Sequence, residues 1–158
     1  MFELREDDLS SDQTRELLEL HLEGMRKSSP PGSVFALDLT GLKAPAVTVW
    51  SAWEGERIAS IGAMKRLADG TAEVKSMRTH PDFARRGAAQ LLLDRIIAAA
   101  KESGALRLSL ETGSGPAFDA ALGLYRRNGF ANGAPFADYE QSAFNQFLHL
   151  ELTQAPPP

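Results

Sequence analysis

Between Ala46 and Thr79 the chain alternates extended segments with tight-turn signals, and this stretch commits it to a sheet. Ala46–Trp53 is rich in β-branched and aromatic residues, which pack well on a pleated surface. Glu54-Gly55-Glu56 then reads as a tight turn, Arg57–Arg66 as the returning strand, Asp69-Gly70 as a hairpin signal and Ala72–Thr79 as a third strand. Antiparallel pairing of the three is the economical arrangement.

The flanks alternate between helix and strand. Before the meander, Ser11-Asp12-Gln13 caps a helix whose apolar residues Leu17, Leu18, Leu22 and Met25 recur at helical spacing. Gly24 weakens that helix and Ser28-Ser29-Pro30-Pro31-Gly32 ends it. Val34–Leu39 reads as a short helix or an extended piece, and 41–45 as a break. After the meander, Gln90–Lys101 is the clearest helix, with Gly104 just past its end. Arg107–Glu111 reads as a strand, Ala117–Arg127 as a helix stopped by Asn128-Gly129, and Phe147–Leu152 as a closing strand. The order β-β-β-α-β-α-β predicts an α/β (α+β) mixed sheet with helices on its faces.

At 158 residues, with 43% apolar and 24% charged residues, the chain has ordinary globular composition. Residues 1–155 read as one domain, with a frayed proline tail at 156–158. The net charge of −4 argues against nucleic acid or an anionic membrane as the main partner. There is no cysteine, hence no disulfide, thiolate metal site or cysteine nucleophile. The acidic start lacks the pattern of a secretory signal, and no apolar run approaches the ~20 residues that span a bilayer, so a cytoplasmic place is expected. His21, His80 and His149 show no metal-ligand spacing, and no metal is expected.

The chemistry-bearing segment is His80–Gln90, which joins a strand to a helix N-terminus. Such a terminus offers unpaired backbone N–H groups and the positive end of the helix dipole. Gly87 and Ala89 are small enough for a phosphate to approach the backbone, and Arg85 and Arg86 add positive charge. The physics describes an anion site; an ordinary exposed turn would carry the same residues. The segment resembles the acyl-CoA signature of the GNAT superfamily, a Gln/Arg-x-x-Gly-x-Gly/Ala loop after a strand. Gly87 and Ala89 match its small positions, whereas Ala84 stands where that family has Gln or Arg. Leu124-Tyr125-Arg126-Arg127-Asn128-Gly129-Phe130 is similar to the family's Leu-Tyr-x-x-x-Gly-Phe. Segments 29–38, 73–78, 108–113 and 135–139 further resemble a subgroup of small bacterial, single-domain GNAT proteins.

The resemblance implies a mostly antiparallel sheet with a splayed central strand pair and an acetyl-CoA site. Its loop would comprise Ala84, Arg85, Arg86, Gly87, Ala88, Ala89 and Gln90. The backbone of Met77, Arg78 and Thr79 would pair with pantetheine. It also implies an acid role for Tyr125 toward the leaving thiolate; packing of its ring on the sheet is the alternative. For the base it offers Glu73, on the strand entering the loop. Glu73 is equally well read as a solvent-facing partner of Lys75, Lys65 or Arg66. Glu111, where the sheet splays, is the rival base. The acceptor walls fall on Arg26, Ser28, Ser33 and Asp38 on one side and Tyr139 and Phe144 on the other.

These features lead to an N-acetyltransferase that consumes acetyl-CoA by direct attack of an amine in a ternary complex, with a homodimer left open. The amine belongs to a small molecule, and Arg78, Arg26 and Lys27 place positive charge for a carboxylate on it. A CoA-binding sensor without transfer is the competing reading.

Overall fold

The computed structural model describes residues 1–152, so the tail at 156–158 lies outside the described residues. In chain order the elements are β1 (Glu3–Glu6), α1 (Asp12–Ser28), α2 (Leu39–Leu42), β2 (Val47–Glu54), β3 (Arg57–Arg66), β4 (Ala72–Thr79), α3 (Ala88–Glu102), β5 (Arg107–Thr112), α4 (Asp119–Arg127), β6 (Ala131–Asn132) and β7 (Gln146–Glu151). The strands form one seven-stranded sheet in the order β1-β2-β3-β4-β5-β7-β6. Every neighbouring pair is antiparallel except β4–β5. The pattern of elements predicts this mixed sheet, and the family resemblance its mostly antiparallel pairing.

Alternation along the strands divides the core into two layers. Leu17, Leu18 and Leu22 of α1 and Leu42 of α2 pack on Val49, Ile61 and Ala63 at one face. Leu92, Leu93 and Ile96 of α3 and Leu122 of α4 pack on Met64, Val74, Leu108 and Leu110 at the other. Along β4, Ala72 and Val74 thus face α3, while Glu73 and Lys75 point the opposite way.

Several local features depart from the sequence reading. β1 (ELRE) is short and mostly exposed, so it lacks the apolar alternation that marks a strand. β6 has only two residues. The 41–45 break overlaps a single helical turn, α2, where the Asp38 carboxylate accepts a hydrogen bond from the Gly41 N–H (2.8 Å). Ser11 occupies the N-cap of α1 without a side-chain capping bond. The first turn expected for α4 is a separate 3-10 turn, Pro116–Phe118.

The feature that positions the site is the split between β4 and β5. The two strands pair only at Ala72↔Leu108 and Glu73↔Ser109. Beyond that point β4 follows β3 and β5 follows β7. A bulge accompanies the parting: Ala63 pairs with Lys75 and Ile61 with Arg78, so β4 carries one extra residue there. Ser76, within the bulge, has φ +57°.

Candidate active site

The split opens a cleft of about 870 Å³, running from the N-terminus of α3 past α4 to the C-terminal half of α1. Its upper end is built by the loop between β4 and α3. His80 caps the 3-10 turn Pro81–Phe83, its Nδ1 accepting from the Asp82 N–H (3.1 Å). Two left-handed residues, Arg85 (φ +61°) and Gly87 (φ +90°), then curl the backbone into α3. A Cβ on Gly87 would meet nothing within 4 Å, so the space above this helix start is open. The first N–H groups of α3 have no intrahelical acceptor and make a cradle suited to a pyrophosphate. Ala84, Arg85, Gly87, Ala88, Ala89 and Gln90 all line the cleft, as do Met77, Arg78 and Thr79 on the edge of β4 that β5 has left. This open cradle beside an unpaired strand edge fits the diphosphate and pantetheine of an acyl-CoA.

Arg86 is placed differently from the other loop residues. Its guanidinium is bonded to Glu54 and lies over the rings of Phe2 (5.3 Å) and Phe83 (5.4 Å), which braces the loop from behind. Gln90 makes a reciprocal amide pair with Asn128 (2.8 and 3.0 Å), and Asn128 also donates to the Leu124 carbonyl (2.8 Å). The phosphate loop and the Leu-Tyr/Gly-Phe motif are thereby tied side chain to side chain. The sequence reading treats Asn128 only as a helix stop, and Arg127, which also lines the cleft, receives no role there. An Asn beside a Gly signals a helix end, and nothing local distinguishes that use from a tertiary bond.

Tyr125 lies on α4 with its ring packed edge-on against Phe130 (5.7 Å), and it contributes to the cleft wall. The packed and the cleft-lining readings therefore describe the same side chain. Burial pushes the phenol well above its ordinary 10, so it stays protonated.

The two carboxylate candidates occupy different surroundings. Glu111, near the end of β5, lines the cleft and is half-buried. Burial first, and then the neighbouring Glu73, raise its pKa to about 7 against the opposing pull of Lys75. Glu73 is only 3% exposed. Its carboxylate accepts from Lys75 Nζ (3.3 Å) and from the Tyr139 hydroxyl. The Glu73–Lys75 pairing considered from the sequence is present, but buried rather than solvent-facing; Arg66 instead donates to the Pro45 carbonyl (2.6 Å).

Lys75 is the node of this face. Its ammonium also donates to the Phe35 carbonyl (3.0 Å) and the Tyr139 hydroxyl (2.8 Å). The rings of Phe35 and Phe136 pack on Tyr139 at 5.2 and 5.1 Å. Segments 33–38 and 133–145 are thus both anchored on β4. Ser28 lines the cleft. Arg26 and Asp38 line a separate, smaller depression between α1 and α2, with Arg26 3.8 Å from Glu19. Ser33 closes a backbone turn on Pro30 (3.0 Å), and Phe144 packs on Phe118 (5.5 Å). Arg78 reaches α1, where Nε donates to His21 Nδ1 (3.0 Å). Buried His21 is held neutral, its pKa lowered to about 3 by desolvation and by the Arg78 and Lys75 charges. His149 accepts or donates to Ser109 Oγ (2.7 Å) and meets the Ala134 carbonyl (2.8 Å). Among the described residues no group of three or more His, Asp or Glu could hold a metal ion. No helix among them is long and apolar enough to cross a membrane.

The pattern of the Acetyltransferase (GNAT) family matches residues 11–130. The Escherichia coli protein named uncharacterized N-acetyltransferase YedL is 46% identical over 154 residues, 98% of this chain and 97% of its own length. The Bacillus subtilis protein named uncharacterized N-acetyltransferase YsnE is 44% identical over 146 residues, 92% of this chain and 97% of its own. Among solved structures, a Bacillus subtilis acetyltransferase in complex with CoA superposes with a TM-score of 0.72 at 19% identity, covering 97% of this chain and all of that one. With its split sheet, its open helix-start cradle and these relatives, the chain belongs to the GNAT acetyltransferase family and is an N-acetyltransferase.

Proposed function

We propose that this protein acetylates the amine of a small molecule, with acetyl-CoA as donor, by direct attack within the cleft. The observation that carries the reading is the continuity of the cleft: the open cradle at Gly87, the phenol of Tyr125 and the carboxylate of Glu111 line one space. The donor would lie on the α3 N–H groups and along the free edge of β4 at Met77–Thr79. It supplies an activated acetyl carbon and a thiolate leaving group.

The chain's own residues do the rest. Glu111 acts as the general base. A carboxyl with a pKa near 7 is half ionised at neutral pH and accepts the amine proton with a useful driving force. Glu73 is held between Lys75 and Tyr139 and works by anchoring the acceptor wall. As the new N–C bond forms and the C–S bond breaks, one proton passes from nitrogen to Glu111 and the Tyr125 hydroxyl supplies one to sulfur. Solvent then restores both groups. Backbone N–H groups freed by the β4–β5 split are available to the thioester oxygen. Phe35, held by Lys75, lines the cleft together with Ser28 and Ala36, and this wall favours a small amine over a protein lysine.

The test is CoA release with a panel of small amines and lysine-containing peptides, beside calorimetric binding of acetyl-CoA. Turnover on small amines supports the proposal. Faster turnover on peptides overturns the acceptor assignment, and binding without any acceptor supports the sensor reading instead.

A further inference from the structure

We propose that the acceptor amine carries a carboxylate and that Arg78, framed by His21 and Gly24 of α1, receives it. The inference rests on the transferase reading above and names the class of its acceptor.

The cations around the cleft are not equivalent. Lys75 is paired with Glu73, and Arg86 with Glu54. Arg85 and Arg127 also line the cleft without an ion pair among the described residues, but both are exposed to solvent, whereas Arg78 is half-buried. Arg78 lines the cleft, yet among the described residues it takes part in no ion pair within 4.0 Å. Its two partners both belong to His21, the ring Nδ1 (3.0 Å) and the backbone carbonyl (3.5 Å), and both are uncharged. A guanidinium stays charged at any working pH, and a half-buried cation without a counterion is costly. Desolvation lowers the Arg78 pKa, the sign of a charge held at a cost.

The partners orient the fork as well as leaving it uncompensated. Nε and one Nη2 hydrogen are committed to His21, which leaves the Nη1 hydrogens and one on Nη2 without a partner among the described residues. A planar fork with adjacent free donors matches a carboxylate in a bidentate way. Gly24 makes the space: a Cβ there would come within 3.0 Å of Nη2 and 3.4 Å of Cζ. A glycine inside a helix weakens the helix, and here its missing side chain is filled by the guanidinium. Glu111 and Arg78 line the same cleft from strands that have parted, so one small molecule can present its amine to the former and its carboxylate to the latter.

The experiment compares free amino acids, each beside its carboxamide, in steady-state assays with acetyl-CoA. Wild type is expected to favour the acid by about tenfold in kcat/KM, equivalent to about 1.4 kcal/mol. Arg78→Met should erase that ratio and Arg78→Lys restore part of it. Gly24→Ala, which keeps every charge and favours the helix, should raise KM for the acid several-fold more than for the amide. Turnover of acids and amides at equal rates in wild type, or an equal loss on both in Arg78→Met, overturns the carboxylate site while leaving the transferase reading intact. Binding of acetyl-CoA with no transfer to any amine overturns both.

Discussion

Replacing Glu111 with glutamine separates chemistry from stability, because the two respond with opposite sign. Folding raises this carboxyl from its ordinary 4.5 to about 7. At ~1.4 kcal/mol per unit, that shift corresponds to about 3 kcal/mol of differential proton binding. Glu111 is half-buried on an open cleft, and solvent screening reduces the usable figure to about 1.5 kcal/mol. The folded state holds the proton more tightly than the unfolded chain. The associated stability is therefore full below pH ~4.5, falls as pH rises to about 7, and is constant above. Glu111→Gln removes this titration. Relative to wild type, the variant should gain about 1.5 kcal/mol of stability between pH 4 and pH 8, read from urea unfolding at the two pH values. Its activity should move the other way. In wild type, kcat/KM rises through pH ~7 as the base ionises; the variant should lose that limb and on the order of 10²-fold or more in rate at pH 7.5. An ascending limb near 7 that survives the substitution would show that another group is the base. A stability difference independent of pH would show that the carboxyl is not perturbed.

Tyr125→Phe should lower kcat by on the order of 10²-fold while acetyl-CoA affinity stays within a few-fold, as measured by turnover and calorimetry. Gly87→Val places a β-branched side chain at φ +90° and over the open helix start. It should weaken acetyl-CoA binding at least tenfold, about 1.4 kcal/mol, in a protein whose circular dichroism is unchanged. Lys75→Met leaves Glu73 buried without its cation and should cost about 3 kcal/mol in chemical denaturation. The double variant Glu73→Gln/Lys75→Met should recover most of that loss.

The local pattern alone carries the elements that surround the site. β-branched runs and turn signals define the 46–79 meander, and an apolar stripe defines α3. The loop residues Gly87 and Ala89 stand where a helix start needs small side chains, and Tyr125 stands within a recognisable motif. These features depend on neighbours in the chain, which is why they are legible there. β1 and β6 escape because a short or charged edge strand is specified by its partner rather than by its own side chains.

The tertiary structure decides what each polar side chain is for. Glu73 and Glu111 are both strand carboxylates, and the family resemblance offers Glu73 as the base with Glu111 as its rival. Only the fold sets Glu73 between Lys75 and Tyr139, a residue 66 positions away, and leaves Glu111 facing the cleft. Arg85 and Arg86 are adjacent and alike, yet one lines the cleft and the other turns back to Glu54. Gly24 reads as a flaw in α1 until Arg78 is seen lying against it. The physical reason is common to all three. Secondary structure follows from local periodicity and backbone preference, whereas burial, charge compensation and pKa depend on groups that only the folded chain brings together.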